Sequence, residues 1–256
     1  MKSIYPNIKF TSSYLLVALG FVLAGYFRDL IFFTSLILVH EFGHYLIGMS
    51  LGNRSAKIYI YPFGGLTKFD SFINQKIYHS FLISIAGIIF QMTFYYFLFL
   101  LFKEGIIFSN SDFSLIKKYH YSMLMFNILP IIPLDGSKIL ECLLNKYFPY
   151  KISMYLLICI SLISLLLFET ISLPFFDYNY LIIGIILFSD IYKFKKNIKY
   201  NYSKFLLERY LYHFKFRKLK KIDKVSMMYQ ERRHLIYNNK KYVTEREILQ
   251  KMFDLW

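Results

Sequence analysis

Two cysteines, Cys142 and Cys159, are all that this 256-residue chain contains. That excludes a disulfide framework and leaves both as small apolar packing residues. Acidic groups are scarce as well: 16 Asp and Glu face 31 Lys and Arg, for a formal charge of +15. Much of the excess lies in the last quarter of the chain, beginning with Lys193, Lys195, Lys196 and Lys199. No nucleic-acid motif accompanies these charges, so the expectation is no direct nucleic-acid partner. A basic cluster beside a bilayer, drawn to anionic lipid by about 1 kcal/mol per residue, explains them better. The chain also shows no internal repeat and no low-complexity linker.

Apolar residues, in contrast, are abundant. They make up 56% of the chain, and aromatic residues 21%, against roughly 45–50% apolar in an ordinary soluble protein. A helix needs about 20 mostly apolar residues to cross a bilayer core. Six stretches qualify, near 11–27, 30–49, 77–102, 118–134, 152–173 and 178–192. Pro130 and Pro133 break the fourth, and such a break is tolerated only where protein or water re-satisfies the backbone. Residues 1–27 also resemble a signal peptide, with Lys2 and Lys9 before an apolar run. The next apolar run follows after only Arg28-Asp29, so the first helix is expected to stay. The fold class expected is an all-α polytopic membrane protein with about six transmembrane helices. A short β-hairpin or re-entrant loop and a small basic cytoplasmic C-terminal segment complete it.

Positive charge sets the orientation. With the N-terminus cytoplasmic, Lys2, Lys9, Arg54, Lys57, Lys68, Lys76, Lys138, Lys146, Lys151 and the basic tail share one side. Arg28, Lys103, Lys117 and Lys118 fall on the other, with the last two out of keeping. Both termini are then cytoplasmic.

His40-Glu41-Phe42-Gly43-His44 lies inside the second apolar run. On a helix, positions i and i+4 share a face one turn apart, so both histidines can bind one metal ion. Glu41 is placed to take a proton from water that the metal activates. Two histidines leave a catalytic zinc one protein ligand short. The candidates are His79, His120, Glu104, Asp112, Asp135, Glu141, Glu169, Asp177 and Asp190. Asp135 stands out because it follows the proline break at the same expected depth as His44. A carboxylate there costs about 2.5–3.5 kcal/mol on insertion scales and needs a partner.

His40-x-x-x-His44 combined with Asn127-x-x-Pro130-x-x-Pro133-Leu134-Asp135-Gly136 resembles the motif pair of site-2 proteases, zinc metalloproteases that cut within the membrane. The resemblance covers about residues 11–196. Tyr61-Pro62-Phe63-Gly64-Gly65 and Lys204-Phe205-Leu206-Leu207-Glu208-Arg209-Tyr210 narrow it to the stage IV sporulation protein FB branch. The resemblance implies Zn²⁺ held by His40, His44 and Asp135, with Glu41 as catalytic base. It implies a membrane-associated protein substrate, a pro-sigma factor, and inhibitory membrane proteins as partners, in a bacterial cell membrane. A different membrane-tethered regulator or a signal-peptide remnant is the alternative substrate. An ion-conducting transporter is the remote alternative function, and it leaves the histidine spacing unexplained.

Asn127 either holds the substrate backbone or oxyanion, as the resemblance implies, or caps the helix break. The stretch 58–69, turning at Phe63, Gly64 and Gly65, reads as a hairpin that pairs with unwound substrate by strand addition, or as a structural cover. Residues 1–196 are expected to be the transmembrane protease domain. Residues 197–256 are expected to be a basic cytoplasmic tail, since the stretch after Tyr210 is too short for an ordinary pair of CBS motifs. The 103–117 loop leaves no room for a PDZ domain.

Overall fold

A computed structural model describes residues 7–53, 56–106, 109–172, 178–212, 214, 216–238 and 241–254. Lys2, Arg54 and Asp177 lie outside the described residues. The chain divides into two compact units, residues 1–71 with 82–127 and residues 72–81 with 128–256.

The first unit is built around α2 (Phe27–Ser50), flanked by α1 (Ser12–Leu23), most of α3 (Ile77–Lys103) and α4 (Asn110–Ile128). It also holds a three-stranded sheet in which β2 (Ala56–Tyr61) lies between β1 (Asn7–Phe10) and β3 (Gly64–Phe69). The expected hairpin is β2–β3, with Tyr61 opposite Gly64 and only Pro62-Phe63 in the turn. Gly64 takes a φ of +153° there, a backbone region that favours glycine. The third strand, β1, was not expected and pairs in parallel with β2. Thr11 ties it in. Its hydroxyl donates to the Ile60 carbonyl at 2.8 Å and accepts from the Tyr14 amide, capping α1. Behind the sheet, Tyr14, Leu36, Ile37, Tyr45, Ile58, Ile60 and Met123 pack as one apolar cluster. Toward the far end of the helices, Tyr119 donates to Asp29 at 2.5 Å and Arg28 pairs with Asp112 at 2.9 Å.

The second unit contains α5 (Asp135–Tyr147), α6 (Tyr150–Ser172), α7 (Tyr178–Lys196) and α8 (Ile198–Leu211). Beyond them, β5 (Arg232–Asn238) pairs in parallel with β4 (Lys218–Ile222) and antiparallel with β6 (Lys241–Thr244), ahead of α9 (Glu245–Phe253). Thr244 caps α9: its hydroxyl accepts from the Glu247 amide and donates to the Glu247 carboxylate. The basic C-terminal stretch is therefore a folded sheet and helix. The sequence motif 204–210 is what holds it. Glu208 accepts the backbone amides of Ile73 and Asn74 at 3.1 and 3.0 Å. Buried Arg209 donates to Asn74 Oδ1, to Glu245 and to the carbonyls of Tyr229, Gln230 and Arg232.

The chain is mostly helical, and among the described residues three helices are long and apolar enough to cross a membrane: α2, α3 and α6. These match three of the six expected spans and support an integral membrane protein. The helices over the other three fall short by length or composition. α1 has 12 residues, a rise of only about 18 Å. α4 carries Asp112, Lys117 and Lys118, and the last turns of α7 carry Asp190, Lys193, Lys195 and Lys196.

Candidate metal centre

His40 and His44 lie on one face of α2, both buried. Their rings are nearly perpendicular, and their Nε2 atoms are 3.1 Å apart. Hydrogen-bond chemistry fixes one ring at once. His44 Nδ1 lies 2.6 Å from the Ile83 carbonyl, which can only accept, so Nδ1 carries the proton and Nε2 is bare in the neutral ring. His40 Nδ1 lies 3.1 Å from Gln91 Oε1. That contact leaves the His40 Nε2 bare too when the amide oxygen is the neighbour. Two lone pairs facing each other at 3.1 Å repel unless a cation sits between them.

The neighbouring helix comes close to both rings. Gly87 of α3 faces the pair, and a Cβ there would come within 2.7 Å of His40 Nε2 and closer still to His44. Glycine at 87 thus lets the α3 backbone approach both nitrogens. Gly43 permits the approach of α2 to α3, since a Cβ on it would lie 2.8 Å from the Ala86 carbonyl oxygen. Ile83, Gly87 and Gln91 form a single stripe along α3, spaced four residues apart.

Glu41 is buried beside the histidines and is held from the sheet. The Thr67 hydroxyl on β3 donates to Glu41 Oε2 at 2.6 Å and approaches the Glu41 carbonyl at 3.3 Å. Gly65, two residues earlier and so on the same strand face, lets the backbone of β3 pass directly against the Glu41 side chain. A Cβ at 65 would lie 2.6 Å from Glu41 Cδ and Oε1 and closer to Cγ. Gly64 and half-exposed Phe63 sit at the hairpin turn.

Asp135 opens α5 immediately after the proline break. Within the break, Ser161 of α6 donates to the Pro130 carbonyl at 3.2 Å and accepts the Ile132 amide at 3.3 Å, supplying partners that the interrupted helix lacks. Gly136 makes the turn close, because a Cβ on it would overlap the Ile128 carbonyl. The Asp135 carboxylate is buried, and Lys138 donates to its Oδ1 at 2.9 Å. By donor chemistry, His40 and His44 of the first unit and Asp135 of the second are residues that could hold a metal ion, each offering one ligand atom. Two imidazoles and a carboxylate are a fitting donor set for zinc with an open position.

The remaining candidates have other surroundings. His120 is buried, stacks on Tyr95 at 4.0 Å and meets Gln91. His79 packs edge-on against Tyr78 at the start of α3. Asp112 and Asp190 pair with Arg28 and Lys193. Glu104 is exposed, and Glu141 lies within α5, six residues on from Asp135. Glu169 abuts Gly184, where a Cβ would overlap its carboxylate. Asn127 is half-buried in the last turn of α4. Sequence reasoning missed Thr67 and Gln91. Thr67 shares a strand face with Gly65, and Gln91 is an amide in the midst of the apolar run of α3, so each left a faint signal.

Residues 29–121 match Peptidase family M50. The chain's resemblance to a particular branch is borne out as well. The chain is 30% identical over 138 residues to Stage IV sporulation protein FB from Bacillus subtilis (strain 168). The matched stretch is 54% of this chain and 47% of that relative, so the chain spans about half the length of the curated protein it matches. In fold it is similar to the Site-2 Protease from Methanocaldococcus jannaschii, with a TM-score of 0.58 at 20% identity, covering 75% of this chain and 92% of that one.

Proposed function

We propose that the protein is a zinc-dependent intramembrane endopeptidase that releases a membrane-associated pro-sigma factor in sporulation. The observation that carries the hydrolytic reading is the pair of histidine Nε2 atoms 3.1 Å apart on one face of α2, with Glu41 next to the first histidine in sequence. The match of residues 29–121 to Peptidase family M50 and the name of the curated relative support the rest.

In this reading His40, His44 and Asp135 hold the zinc. The ion supplies a Lewis acid that makes water nucleophilic near neutral pH and polarises the scissile carbonyl. Glu41 removes the proton from the attacking water and hands it to the departing amine. Thr67 keeps the Glu41 carboxylate turned to one side for that transfer. β3 has β2 on one edge only, so an unwound substrate strand adds along its other edge, past Phe63, Gly64 and Gly65. Asn127 contacts the substrate backbone or the oxyanion.

Residues 1–196 make the transmembrane protease and 197–256 a basic cytoplasmic tail. Both termini are cytoplasmic in a bacterial cell membrane, and inhibitory membrane proteins act as partners. Another membrane-tethered regulator or a signal-peptide remnant is the second substrate reading. The test is Glu41→Gln in cells, with capture of whatever protein stays bound. A sigma-factor precursor confirms the substrate, whereas an unrelated membrane-tethered protein replaces it. A Glu41→Gln protein that still cleaves removes the proposed mechanism.

A further inference from the structure

Gln91 belongs to none of the motifs, yet it is fully buried in an apolar helix. A buried amide is costly unless its groups are bonded. We infer that Gln91 is a positioning residue, which selects the tautomer of His40 and through it sets the affinity of the centre for zinc. This rests on the metal reading above and adds a residue to it.

The deduction needs only donor and acceptor chemistry. The Gln91 amide lies 3.1 Å from the main-chain carbonyl of His120, and a carbonyl oxygen can only accept. The NH₂ end of Gln91 must therefore face it. The opposite end, Oε1, then faces His40 Nδ1 at 3.1 Å. An amide oxygen also only accepts, so Nδ1 of His40 must hold the proton. A neutral imidazole has one N–H, and the lone pair is left on Nε2, the atom directed at His44. The second amide hydrogen is directed toward His120 Nδ1 at 3.4 Å. The His120 ring is itself held by a parallel stack on Tyr95, 4.0 Å between centroids with planes 6° apart.

Gln91 thus does for His40 what the Ile83 carbonyl does for His44. There is a difference of kind: a main-chain carbonyl survives any substitution, whereas the partner of His40 is a side chain and can be removed. Without it, the His40 proton is free to sit on Nε2, where it blocks the lone pair.

The experiment uses the full-length protein in detergent, with Zn²⁺ affinity read by competition against a chromophoric chelator. Visible absorption of the Co²⁺-loaded protein reports ligand geometry. Gln91→Met keeps side-chain length but offers no amide, and loss of such an outer partner lowers metal affinity about 10–100-fold. Its Co²⁺ spectrum should change as well. Gln91→Glu restores an oxygen acceptor and should bind closer to the parent than to Gln91→Met. His120→Ala retains the main-chain carbonyl and should leave zinc affinity near the parental value. If Gln91→Met does not fold, Gln91→Asn, one carbon too short to reach His40, makes the same test. Parental affinity and an unchanged Co²⁺ spectrum in the Met or Asn variant overturn the inference. So does a Glu variant as weak as the Met variant. Failure of the parent itself to bind zinc would instead defeat the metal reading on which both depend.

Discussion

Replacing Thr67 with valine separates the seating of the base from the binding of metal. The two side chains have nearly the same shape, so the strand and its packing persist while one donor disappears. That donor is the hydroxyl 2.6 Å from Glu41 Oε2. A hydrogen bond to a charged group contributes about 1.5–3 kcal/mol. If all of it serves to keep Glu41 in its productive orientation, kcat/KM falls about 10-fold to 150-fold, at 1.36 kcal/mol per decade. The lower end is the better expectation, since Gly65 continues to confine the same side chain. The assay is cleavage of a transmembrane substrate peptide in detergent by protein with its zinc content measured. Zinc content should not change, because Thr67 touches the base and neither histidine. Thr67→Ser, which restores the hydroxyl, should recover most of the rate. A fully active, zinc-loaded Thr67→Val enzyme would refute the reasoning, as would a serine variant no better than valine.

Other outcomes follow from the same geometry. Gly65→Ala should abolish cleavage with zinc retained, because its Cβ would overlap Glu41; an active variant would show that β3 does not pass so near the base. Asp135→Ala should reduce zinc retention and end turnover, whereas His79→Ala, at the edge of α3, should alter neither, as metal analysis can decide. In the C-terminal sheet, burial lowers the pKa of His234 below its ordinary 6.5, despite the opposing pull of Glu245. Glu245 is raised by burial but lowered more by the His234 hydrogen bond and Arg209. Below pH 6.5 the unfolded chain takes up the His234 proton more readily than the folded one. Local stability is therefore present above that pH and lost as pH falls, with Glu245 adding to the loss below its ordinary 4.5. Hydrogen exchange of β5 and α9 should speed up as the pH falls below 6.5, and a pH-independent exchange protection would contradict this.

Much of the site was legible because its chemistry is local. His40 and His44 are one turn apart, and Asp135 is announced by Pro130 and Pro133, so a helical period and a broken helix were enough to single them out. The β2–β3 hairpin was legible from Tyr61-Pro62-Phe63-Gly64-Gly65 for the same reason. β1 was not, since its parallel partner is about 50 residues away and parallel pairing leaves no turn signature. The C-terminal strands were hidden by lysines. Lys218, Lys220 and Lys221 make β4 read as a charge cluster, though Ile222 and Ile236 are buried. Thr67 and Gln91 escaped because neither titrates nor usually binds metal. Their role arises only from what folding places next to them. Of the six expected spans, those over α2, α3 and α6 meet the length and apolarity a bilayer asks for, while the shortness of α1 and the charges in α4 and α7 leave the other three without that support.

The stripe of Ile83, Gly87 and Gln91 makes α3 a template with a single permitted phase. One position accepts from His44, the next has no side chain and lets the helix lie against both rings, and the third accepts from His40, each about a turn beyond the last. Inserting or deleting a single residue between 83 and 91 would swing Gln91 by about 100° relative to Ile83. The helix would remain as long and as apolar as before, and equally able to span the membrane. Yet the two imidazoles could no longer both be held with their lone pairs toward one point. For α3, therefore, membrane insertion tolerates almost any apolar sequence, whereas the proposed zinc chemistry depends on angular register. Changes in lipid-facing Ile89 or Met92 should be absorbed without consequence, while a shift of one residue in phase should leave a well-inserted and inert protein.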